Sequence, residues 1–155
     1  MKSILSPLLI VCLLASASLA EETSFDRIRV PDKKGKAVRA VLTLSDQHHA
    51  VEIQPAKGDA VSIPFGDIDK FVYEYTKKHH VSESTIATAP LGIGTIAMIR
   101  KSRAHWLRID YHDQEVPKLY ILRMDKRNYL RILGAVKKHT GKDAEVLGNA
   151  DKRGR

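Results

Sequence analysis

The amino-acid sequence predicts an α+β fold, mostly β: an antiparallel curved sheet or partly open barrel closed by one C-terminal amphipathic helix. Three observations predict it. Between Ala37 and Met124, apolar and polar residues alternate in short runs, the period of strands with one buried face. The runs are divided by tight polar turns, Ser45-Asp46-Gln47, Lys57-Gly58-Asp59 and Asp113-Gln114-Glu115, which suit antiparallel neighbours. After Met124 the apolar period changes to that of a helix.

The N-terminal segment, residues 1–20, reads as a signal peptide. Lys2 supplies a short positive region, Ile4 to Leu14 an apolar run, and Ser18-Leu19-Ala20 a small-x-small cleavage signal. The rival is an uncleaved anchor, since Ser3 to Ala20 is uncharged, but a spanning helix does not need small residues at 18 and 20. Cys12 follows Val11 rather than a small residue, which argues against lipid attachment. It is the single cysteine of the chain, so the mature chain from Glu21 has no disulfide. The expected location is exported, periplasmic or extracellular. Cleavage removes Lys2 alone, taking 26 basic against 18 acidic side chains to 25 against 18, a net charge of +7. That balance favours anionic partners and also keeps an exported domain soluble.

The remaining chain divides into a polar lead-in over 21–36, one domain over 37–147 and a disordered basic tail over 148–155. Pro31-Asp32 and Gly35 are the turn signals of the lead-in. Val38, Ala40, Leu42 and Leu44 share one face of a first strand, and Val51 and Ile53 continue a second up to Pro55. Val61 and Ile63 form a third. Pro64 and Gly66 then bend the chain, and Phe71, Tyr73 and Tyr75 make an aromatic face on the next strand. Trp106 to Tyr111 turns Leu107, Ile109 and Tyr111 inward and Trp106 outward beside Arg108. Leu119 to Met124 is apolar on both faces and must be covered on both. In the helix, Tyr129, Leu130, Leu133 and Val136 recur at helical spacing, with Asp125 as N-cap, Lys137, Lys138 and His139 in the last turn, and Gly141 at C′.

The segments "VSIPFGDIDKFVYE", "HWLRIDY", "MDKRNYLRILGAV" and "TGK" together resemble the small bacterial pleckstrin-homology-like and GRAM-like domains, over Ala37 to Leu147. The resemblance implies a curved sheet closed by a C-terminal helix, and a binding module rather than an enzyme. Phosphoinositide binding in that family uses basic residues flanking the loop between the first two strands. Here that loop is Ser45-Asp46-Gln47, without lysine or arginine, so this ligand is not expected.

The uncharged stretch Ile86 to Ile99 has three possible uses. As a helix its fourteen residues reach only about 21 Å, short of the roughly 30 Å hydrocarbon core. Gly92-x-Gly94 lacks the third glycine of a dinucleotide loop and the Gly-Lys-Ser/Thr of a Walker loop. What remains is a cover over the outer sheet face, near Trp106, Leu119 and Ile121. The alternative is a peripheral membrane module that inserts this segment, with Arg100, Lys101 and Arg103 as its basic rim.

No catalytic residue, cofactor or metal is expected. His48-His49 and His79-His80 are adjacent pairs at turns without zinc-motif spacing. Ser84 and Ser102 lack a nucleophile-elbow context, and Asp67 caps a turn beside Asp69. A hydrolase using His105 or His112 with a nearby carboxylate is the outlying alternative. The basic cluster comprises Lys77, Lys78, Arg100, Lys101, Arg103, Arg123, Lys126, Arg127 and Arg131. Its aromatics mostly face inward, which disfavours nucleic acid. The expected function is an exported, non-enzymatic module that binds a protein partner or an anionic surface, through Arg100, Lys101, Arg103, His105 and Arg108.

Overall fold

A computed structural model of the chain describes residues 21–32, 36–76 and 104–147. They form strands β1 (Glu22–Pro31), β2 (Ala37–Ser45), β3 (Ala50–Pro55), β4 (Val61–Pro64), β5 (Ile68–Thr76), β6 (Ala104–Asp113), β7 (Val116–Met124) and β8 (Ala144–Leu147), with helix α1 (Tyr129–Thr140) before β8. The sheet order is β4-β3-β2-β1-β7-β6-β5-β8, open at both ends. Neighbours are antiparallel except β5 and β8, which run parallel. The fold class read from the sequence is the one observed.

The lead-in expected over 21–36 is instead largely a strand. Glu22–Pro31 pairs with β2 along its length, and Phe25, Ile28 and Val30 are buried. Its strand character was concealed by a β-bulge between Phe25 and Ile28. The extra residue on β1 shifts the parity of the alternation, so that Phe25 and Ile28 both reach the core although three positions apart. On its other side β1 meets β7 through only Ile28↔Met124 and Arg29↔Arg123. This short seam joins the two halves of the sheet.

The core lies between the concave inner face and α1. Ile28, Leu42, Ile53, Phe71, Leu107, Ile109 and Leu122 from the strands pack with Ile132 and Val136 from the helix. Leu130, expected on the buried stripe, is 67% exposed, and Leu133 is partly buried. The inward residue is Ile132, because Tyr129, Ile132 and Val136 define the stripe. The helix ends at Gly141, whose φ of 69° supplies the left-handed cap while its N–H donates to Lys137 O at 2.9 Å.

Asp125 is not the residue flanking the helix. Asn128 takes that place without a side-chain cap bond. Asp125 acts one turn earlier: its Oδ1 accepts from Arg127 N at 2.8 Å, and its carbonyl accepts from Asn128 N and Tyr129 N, each at 3.0 Å. It organises the turn that delivers the chain from β7 into α1.

The opposite face of β5, β6 and β7 is buried too. Registers Glu74↔Trp106↔Arg123 and Val72↔Arg108↔Ile121 run across it. Val72, Glu74, Trp106, Leu119 and Ile121 are all buried there, Trp106 to 1% exposure. The segment expected to cover this face, Ile86 to Ile99, lies outside the described residues. Among the described residues, no helix is long and apolar enough to cross a membrane.

Candidate functional site

Where β1 and β7 part, the seam opens into a pocket of about 320 Å³ lined by Arg27, Arg29, Tyr75, Ala104, His105, Arg123, Met124, Asp125 and Lys126. Each lining group arrives there for a local reason. Arg29 and Arg123 are cross-strand partners on the outer side of the seam, and Arg27 lies within the bulge of β1. Lys126 and Asp125 come from the turn after β7, and His105 faces Met124 in the β6–β7 register.

The charge is strongly one-sided. Arg39, Arg29 and Arg123 stand in register across β2, β1 and β7, an arrangement of like charges that costs stability when directly opposed. Among the described residues, none of Arg27, Arg29, Arg39, Arg123 and Lys126 forms an ion pair. The carboxylate of Asp125 is the one acidic group in the pocket wall, and it is already bonded to Arg127 N.

His105 anchors the other wall. Its Nδ1 lies 2.8 Å from the Tyr73 hydroxyl. Its ring stacks on Tyr129 with centroids 3.9 Å apart, and Tyr75 is tilted against it at 4.6 Å. Burial pushes the Tyr73 phenol up to about 12, with Tyr129 and Tyr75 adding to the effect. Burial pushes the imidazole of His105 down, partly offset by Asp125. The phenol and the imidazole share this hydrogen bond, its donor set by the tautomer of the ring.

Of the residues expected to bind, His105 lines the pocket, whereas Arg108 lies on the opposite face of β6. Its Nε is 2.7 Å from Asp110 Oδ1 and its Nη2 donates to Asp110 Oδ2 at 2.9 Å. This ion pair, with its one hydrogen bond from Nη2, occupies the guanidinium, and the side chain is only 13% exposed. Arg100, Lys101 and Arg103 lie outside the described residues, as do His79 and His80. Arg27 and Arg29 were missed because the lead-in was read as irregular. The signal that could have found them is "RIRV", a short basic–apolar alternation.

The other histidines have local partners. His48 and His49 sit in the β2–β3 turn, as expected, with His48 Nδ1 2.6 Å from Glu52. His112 pairs with Asp69 at 2.7 Å, both about half exposed. His139 is fully enclosed, its Nδ1 2.6 Å from Asp46 and its Nε2 2.8 Å from Thr23 Oγ1, so it ties the end of α1 to β1 and the β2–β3 turn. Among the described residues, no three His, Cys, Asp or Glu side chains converge as a metal site.

Comparison with known proteins adds little. No protein family and no curated protein matches the chain. Twelve chains of known structure match it. One belongs to the structure of the Spt16D Pob3N heterodimer, with a TM-score of 0.49 and 12% identity, covering 88% of this chain and 59% of that one. The chain thus spans less than two thirds of the length of that neighbour.

Proposed function

We propose that this chain is an exported, non-enzymatic, pleckstrin-homology-like binding module that holds an anionic partner on the basic face at the β1–β7 seam. The observation that carries the reading is the set of five cations, Arg27, Arg29, Arg39, Arg123 and Lys126, gathered there without acidic ion-pair partners among the described residues. Opposed like charges cost the fold stability, and an incoming anion would relieve that cost. Such a field also steers anionic partners toward the face.

The test is retention of the mature chain on immobilised heparin under a salt gradient. Arg29→Glu with Arg123→Glu should elute at clearly lower salt than Lys57→Glu with Lys137→Glu, which changes the net charge equally elsewhere. Equal elution would reduce the effect to net charge and sink the reading. Sedimentation with anionic vesicles covers the membrane alternative. Binding lost in Ile96→Asp but kept in the double arginine variant would replace this function with insertion of 86–99.

Export belongs to the same proposal. β1 begins at Glu22, so cleavage after Ala20 would leave the first strand whole. Mass spectrometry of the exported protein should give Glu21 as the N-terminal residue. Retention of residues 1–20 would favour the anchor.

A further inference from the structure

We infer that the seam pocket is a site for a phosphomonoester with a flat apolar body, its phosphate on Arg27, Arg29, Arg123 and Lys126 and its body against Tyr75, Ala104 and Met124. This deepens the binding function proposed above and rests on it.

Charge selects the head of the ligand. Three guanidiniums and one ammonium line the pocket against the single carboxylate of Asp125, and that carboxylate is engaged by the backbone of its own turn. A phosphomonoester carries roughly −1.5 to −2 at neutral pH. It therefore gains more from this surplus than a carboxylate or sulfonate with a single charge. Arginine forks also match the paired oxygens of a phosphate.

Volume and lining select the body. About 320 Å³ is at the lower end for small-molecule sites, and a bare phosphate would leave much of it unfilled. The rest of the lining, besides the charged groups, is Tyr75, Ala104, Met124 and His105. The imidazole there is fixed by Tyr73 and by stacking on Tyr129, so the wall is preformed, and a preformed wall lowers the ordering cost of binding. A concave pocket lined by both cations and aromatic rings fits a single amphipathic molecule better than a flat array of headgroups.

Titration of the mature chain with phenyl phosphate, benzenesulfonate and inorganic phosphate, followed by calorimetry and amide chemical shifts, tests this. Benzenesulfonate keeps the body and lowers the charge; inorganic phosphate keeps the charge and removes the body. Phenyl phosphate should bind about tenfold more tightly than either, because it alone uses both walls. Arg123→Gln should weaken it by about tenfold or more. Tyr75→Leu should bring phenyl phosphate toward inorganic phosphate and leave the latter unchanged. Lys57→Gln, outside both the pocket and the basic face, should alter neither.

Equal affinity for phenyl phosphate and benzenesulfonate would overturn the inference, as would shifts away from Arg27, Arg29, Arg123 and Lys126. If heparin retention depends on Arg29 and Arg123 but phenyl phosphate does not saturate, the binding function stands and this inference falls. If both measurements fail, both fall.

Discussion

His105 shows how a single side chain can serve structure and site together. It lines the pocket while its ring is packed among Tyr73, Tyr75 and Tyr129. Burial lowers its pKa from the ordinary 6.5, with Asp125 opposing. Between that lowered value and 6.5 the unfolded chain binds a proton that the folded chain does not. Stability contributed at this position is therefore present above about 6.5 and declines as pH falls through that window. His105→Phe removes the proton site and keeps a ring. Urea melts at stepped pH should show the stability of wild type minus variant falling below about 6.5 and flat above it. Parallel curves would mean that His105 is not desolvated as described. His105 was expected in one binding set with Arg108, but alternation along β6 turns the two to opposite faces. Its hydroxyl partner was not legible in the sequence, because Tyr73 and His105 are joined only by the pairing of two strands 32 residues apart.

Among the elements, α1 makes the sharpest quantitative claim. Ile132 is fully buried and Leu130 is 67% exposed. Ile132→Ala should cost about 2–5 kcal/mol, since a cavity adds to the lost transfer energy. Leu130→Ala should stay within about 0.5 kcal/mol. Denaturant melts of the two variants check this, and similar losses would contradict the observed face of the helix. Sequence periodicity located the helix and its glycine stop, because both are local signals. It named Tyr129, Leu133 and Val136, which pack on the core, but took Leu130 in place of Ile132, since either fits an apolar face until packing chooses. β8 was illegible for another reason. Its four residues are too few to display a period, and its parallel pairing with β5 follows from where α1 ends.

For the molecule as a whole, the largest correction concerns β1. Residues given as a lead-in supply the strand between β2 and β7, and half of the basic pocket comes with them. The cationic residues of β7 and its turn, Arg123 and Lys126, were recognisable as a basic cluster. Their convergence with Arg27 and Arg29 was not, because it depends on a contact between the two ends of the chain. A variant beginning at Ala37 should therefore lose cooperative unfolding altogether, as judged by calorimetry, rather than fold as a trimmed domain. A sharp transition in that variant would restore the lead-in description. β1 buries Phe25, Ile28 and Val30, and removing it leaves edges on β2 and β7 in the middle of the sheet.

The central place of the first strand also sets a timetable. Thr23 meets His139 across a separation of 116 residues, and Ile28 meets Met124. Neither contact can form until the segment that carries its later partner, Met124 or His139, has left the ribosome. Pairings between such distant segments must pay loop-closure entropy before they return any stabilisation, so topologies rich in them acquire their native state slowly. Export, as proposed above, would benefit from that delay, because a chain that has not yet closed on its first strand stays threadable.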